Sequence, residues 1–138
     1  MKKSIMKKVI TGLTMCLLMV GTSQLVAMAS TPSTYYSLTP AGLSDIKYTG
    51  SLNKGDTTSA RNKNTAVQGG GSLYCRVQYQ TDGSDQTSNY LFTTGSNISM
   101  DYFHASQYVG SPMRMAVQSQ TFDVYGRNAY GYWSPDNF

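Results

Sequence analysis

Cys75, the single cysteine after residue 29, and His104, the single histidine, are the first residues to weigh, since a thiol and an imidazole can form a nucleophile and its base. The residues around Cys75 point elsewhere. In SLYCRVQYQ, residues 72–80, a period of two puts Leu73, Cys75, Val77 and Tyr79 on one face and Tyr74, Arg76 and Gln78 on the other. The thiol therefore sits in an apolar row and serves as a small structural hydrophobe, whereas a reactive thiol needs an electropositive, partly exposed position. His104 has no second histidine, and the chain has no glutamate, so no usual zinc set can be assembled. DGSD at Asp82–Asp85 lacks the acidic spacing and terminal glutamate of a calcium loop and reads as a turn. Paired-carboxylate hydrolysis would require Asp101 and Asp123 to meet in space. No nucleophile elbow, zincin helix, phosphate loop or dinucleotide fingerprint is present. The expectation is a non-enzymatic protein with no catalytic residue, no metal site and no cofactor.

Aromatic chemistry is concentrated at the other end of the chain. In AYGYW, residues 129–133, alternation sends Tyr130 and Tyr132 to one face and Ala129, Gly131 and the single tryptophan, Trp133, to the other. A tryptophan flanked by small residues belongs to a packed inner face, because its large apolar area dominates burial. Two tyrosines on the opposite face offer rings to a sugar or a protein. Tyr130 and Tyr132 are thus the candidate ligand-binding residues, and Trp133 and Cys75 the structural ones. Lysines 47, 54 and 63 are candidates for a Lys–Asn cross-link of the kind found in Gram-positive surface sandwiches, but the sequence selects no pair.

The elements that must position these residues are strands. After SLYCRVQYQ, Asp82-Gly83 marks a hairpin turn and SNYLFTT a return strand. ISMDYF, MRMAVQS and a segment around Phe122 and Val124 continue the alternation before AYGYW, and TYYSLT and DIKYTG are short strands upstream. SARNKNTAVQ reads as an edge strand whose Arg61 and Lys63 discourage sheet-to-sheet association, and Gly69-Gly70-Gly71 as a loop. Short strands separated by turns predict an all-β fold. The specific expectation is a single antiparallel β-sandwich, Ig-like or jelly-roll-like, of about seven to nine strands.

The amino terminus carries a basic stretch, MKKSIMKK, an apolar run, VITGLTMCLLMV, and an Ala27-Met28-Ala29 cleavage pattern. Residues 1–29 thus read as a secretory signal peptide, too short in its apolar part to span a bilayer, and residues 30–138 as one secreted domain. The signal contains four of the eleven basic residues; the remaining seven meet seven aspartates, so the secreted part is formally neutral. A neutral domain offers nucleic acid no basic face, and neither nucleic acid nor a stable membrane span is expected of it. Only Cys75 remains after cleavage, so no internal disulfide can support the fold and a hydrophobic core must. All eleven tyrosines, four phenylalanines and the tryptophan follow the signal. With no wall-sorting motif before Phe138, the expectation is a domain released outside the cell or only loosely held at the wall.

ARNK at residues 60–63 and GYWSPDN at residues 131–137, together with the signal, resemble small secreted proteins of Gram-positive bacteria in families without an assigned activity. The resemblance implies secretion and a compact all-β domain, and transfers no catalytic residue. The resulting expectation is an extracellular binding module for an envelope polymer, a glycan or a protein. A bacteriocin-like toxin or its antagonist is the first alternative, and a hydrolase without a motif the second.

Overall fold

The computed structural model describes residues 32–138, so the signal-peptide assignment lies outside the described residues. Nine strands follow one another: β1 (Thr34–Leu38), β2 (Ile46–Tyr48), β3 (Leu52–Asn53), β4 (Ala60–Val67), β5 (Leu73–Tyr79), β6 (Tyr90–Phe92), β7 (Asn97–Met100), β8 (Pro112–Gln118) and β9 (Ala129–Ser134). They form two antiparallel sheets. One has the order β1-β9-β4-β7; the other has the order β2-β8-β5-β6, with β3 also pairing with β8. A short 3-10 turn at Ala105–Tyr108 precedes β8. No helix among the described residues is long and apolar enough to cross a membrane.

The alternation in the sequence sets the two inner faces. Leu73, Cys75 and Val77 of β5 and Met113, Met115 and Val117 of β8 are buried from one sheet; Tyr36, Ala60, Met100, Ala129 and Trp133 are buried from the other. Polar groups share this core. The Tyr36 hydroxyl donates to Asn62 Oδ1 at 2.8 Å and accepts from Asn64 Nδ2 at 3.1 Å. Asn62 Nδ2 reaches across the sandwich to Cys75 Sγ at 3.4 Å. Such partners satisfy the Asn62 amide and the Asn64 NH2 group, while the buried Asn64 Oδ1 has no hydrogen-bond partner among the described residues; an unpaired buried polar group costs roughly 1–3 kcal/mol.

Two expectations are corrected, and the glycine loop is placed. SARNKNTAVQ does form a strand, but β4 lies between β9 and β7 and is not an edge. Its inward asparagines hide the apolar-in pattern that marks a central strand. The segment around Phe122 and Val124 is a loop with both side chains exposed. Its backbone is engaged elsewhere: Leu43 N donates to Asp123 O and Asp123 N to Gln120 O, while the Asp123 carboxylate holds Arg127. Gly69-Gly70-Gly71, all at positive φ, carries the chain from β4 in one sheet to β5 in the other. Non-glycine residues avoid that region, which explains the triple glycine at the crossing.

Candidate functional site

The outer face of the four-stranded sheet gathers exposed residues from every strand into one row. In register, Tyr35 of β1 faces Tyr132 of β9, Tyr132 faces Lys63 of β4, and Lys63 faces Asn97 of β7. Neighbouring strands lie about 4.8 Å apart, so the row Tyr35–Tyr132–Lys63–Asn97 runs roughly 14 Å across the sheet. All four side chains are exposed. The two tyrosine rings meet edge to face, with centroids 5.6 Å apart and planes at 70°, a favoured aromatic geometry that steadies Tyr132.

Beside this row lies an open groove of about 710 Å³, lined by Ser33, Lys63, Thr65, Asn97, Tyr132 and Phe138 among others. Its polar lining includes the Lys63 ammonium, the Ser33 and Thr65 hydroxyls and the amides of Asn64 and Asn97, and the buried Asn64 Oδ1 has no hydrogen-bond partner among the described residues. Arg61 donates from Nη1 to Asn97 Oδ1 at 3.2 Å. A guanidinium can only donate, so this contact fixes the amide oxygen towards Arg61 and leaves the Asn97 NH2 group available. The Lys63 ammonium has no ion pair and no hydrogen bond among the described residues. None of the seven aspartates lines the groove.

A single close approach keeps the row in place. A Cβ on Gly131 would strike Lys63 O and come within 2.8 Å of Asn64 Cα and 3.0 Å of Thr65 N. The register between β4 and β9 shifts here, between Asn64 and Ala66. Glycine thus permits the close backbone contact from which Lys63 and Tyr132 project together.

The candidates from the sequence are placed as follows. Tyr132 is exposed and lines the groove; Tyr130 lies on the same outer face but is half-buried and outside the lining. Trp133 is fully buried in the core. Cys75 is also fully buried, and burial pushes its thiol up to about 12, so it is no nucleophile at neutral pH. His104 is exposed at the start of the 3-10 turn. Asp101, bonded to Ser59 before β4, and Asp123, whose partner Arg127 reaches Gly69 after β4, lie at opposite ends of that strand and form no carboxylate pair. The DGSD segment is a turn, with Ser84 N donating to Asp82 Oδ1 and Asp85 paired to Arg76. No group of three metal-ligating side chains occurs among the described residues.

A second polar cluster, unforeseen in the sequence, locks the end of β9. Lys54 and Asp136, both fully buried, form an ion pair at 2.8 Å. Lys54 Nζ also donates to Thr58 O at 2.6 Å and Pro135 O at 3.1 Å, and lies 3.9 Å from the centre of the Tyr102 ring. Gly55 N donates to Asp136 Oδ2 at 2.6 Å, and the Tyr102 hydroxyl donates to Pro135 O at 2.8 Å. Lys54 Nζ thus meets three oxygens, from Thr58, Pro135 and Asp136. Its nearest acid is a carboxylate and not the carboxamide of a Lys–Asn link. The signal available in the sequence was SPDN after a strand, which reads as a turn and says nothing of a partner 82 residues away.

No family model matches the chain, and no curated protein or solved structure matches it.

Proposed function

We propose that the protein is a secreted, non-enzymatic module that binds a saccharide polymer of the bacterial envelope through the outer face of its four-stranded sheet. The observation that carries this reading is the row of Tyr35 and Tyr132 beside a groove edged with hydroxyl and amide groups. Sugar rings present apolar C–H faces ringed by hydroxyls. Exposed aromatic rings cover the first, and Ser33, Thr65 and Asn97 can hydrogen-bond the second. A β-sheet holds these groups on a rigid surface, which limits the entropy lost on binding. The signal peptide read in residues 1–29 and the resemblance to small Gram-positive secreted proteins support an extracellular setting.

Co-sedimentation of the purified protein with isolated cell walls and insoluble polysaccharides tests the reading. Saturable binding by the natural protein is expected, with loss in a Tyr35→Ala/Tyr132→Ala variant that keeps its far-ultraviolet circular dichroism and melting transition. Equal binding by the folded variant would remove the face from consideration, and no binding by either would remove the saccharide.

A further inference from the structure

We propose, on the saccharide-binding reading of the same face, that the ligand is an anionic polymer whose negative group is received by Lys63 while a sugar ring rests on Tyr132. Register makes Lys63 the direct neighbour of Tyr132 on one side and of Asn97 on the other. A ring stacked on Tyr132 therefore carries its substituents about 5 Å, one strand spacing, from the Lys63 position.

The electrostatics of the face favour an acid there. Among the described residues, every aspartate that forms an ion pair does so with a basic residue other than Lys63: Lys47 with Asp45, Lys54 with Asp136, Arg76 with Asp85 and Arg127 with Asp123. Lys63 alone of the lining side chains carries charge. Arg61, two residues earlier on the same face of β4, adds a second positive charge that Asn97 and Asn137 engage without neutralising it. The Asn97 NH2 group is a further donor beside Lys63. A neutral domain has thus concentrated positive charge and free N–H groups on its aromatic face, which complements a carboxylate or phosphodiester and disfavours a cationic ligand.

Carboxylate and phosphate sources share this chemistry, and probes can separate them. Binding is measured by isothermal titration of the purified protein with polygalacturonate, with its fully methyl-esterified form, and with poly(glycerol phosphate). The esterified polymer keeps the sugars of the first probe and removes the charge. At least one anionic polymer is expected to bind about fivefold or more tightly than the ester. Lys63→Gln should bring it down towards the level of the ester, and raising the salt concentration should weaken binding to the natural protein more than to the variant, which keeps Arg61. Which anionic polymer binds identifies the source.

The inference is overturned if neither anionic polymer exceeds the ester, or if Lys63→Gln binds them as tightly as the natural protein. In either case, loss of wall or ester binding in Tyr132→Ala would leave the saccharide reading standing by itself. If Tyr132→Ala changes binding to no polymer or wall preparation, both fall together.

Discussion

Lys54 and Lys63 lie nine residues apart, each has a tyrosine beside it, and the fold treats them in opposite ways. Lys54 is wholly removed from water, and three oxygens and the face of Tyr102 replace its hydration. Lys63 stands in solvent beside Tyr132 with its charge unopposed. A buried ammonium must be neutralised by its own protein, because desolvation costs several kcal/mol if nothing repays it. An exposed one keeps its hydration and can exchange it for a partner. The first lysine fastens the last strand to the loop before β4; the second is free to meet something else.

The largest effect is expected at the buried pair. Lys54→Met leaves the Asp136 carboxylate buried without its ammonium counter-charge and should cost about 3–5 kcal/mol in urea unfolding. Lys54→Met/Asp136→Asn removes that charge and keeps an acceptor for Gly55 N, so it should recover at least half of the loss. A double variant no better than the single one would show that the contacts, and not the charge, hold the strand.

Next comes Gly131→Ala, which forces the backbone of β4 away from β9 and should cost roughly 1–3 kcal/mol by the ordinary penalty of overpacking. It should also weaken ligand binding without touching an outer side chain, because the bulge that aims Lys63 lies at the same contact. An unchanged affinity in a destabilised Gly131→Ala protein would separate the two.

Alkali tests the interior. Burial first, and the neighbouring Asp136 and Asp56 charges second, push the Tyr102 hydroxyl above its ordinary 10.0; burial likewise raises Tyr36 above 10.0 and Cys75 from 9.0 to about 12. In each case the folded value lies above the unfolded one. The resulting stability is complete below pH 9 and falls as the unfolded chain begins to ionise above it, with Cys75 contributing roughly 1 kcal/mol of loss by pH 10. Thermal melting between pH 8 and 11 should show this decline. Cys75→Ala should start lower at pH 8 and decline less steeply.

The smallest effect on stability is expected at Lys63→Ala, within about 0.5 kcal/mol of the natural protein. The comparison between the lysines would fail if this variant melted as early as Lys54→Met.

How much of this was legible in the sequence depended on whether a signal was local. Alternation is a property of one strand, so the inner placement of Leu73, Cys75 and Val77 and the division of AYGYW into Trp133 and tyrosine faces could be read directly. In sequence β4 reads as an edge because Asn62 and Asn64 look solvent-facing, and only their bonds to Tyr36 and Cys75 in the core account for their burial. Phe122 and Val124 alternate like a strand, yet the loop takes its hydrogen bonds from residues near 43 and 120, which the pattern cannot foresee. Tyr132 was visible as a candidate; its companions Tyr35, Lys63 and Asn97 were not, since they come from three other strands.

The sequence by itself determined an all-β chain with a single cysteine and a formal charge of zero over residues 30–138, and the identity of the residues on each face of its longer strands. Those follow from composition and from a side-chain period of two, which every strand carries within itself. The tertiary structure decided which strands are neighbours, and with them the burial of Lys54 against Asp136 and the alignment of Lys63 with two tyrosines. Pairing and register join residues distant in sequence through backbone hydrogen bonds, and backbone groups are nearly the same at every position. The choice among partners is made by packing of the whole core.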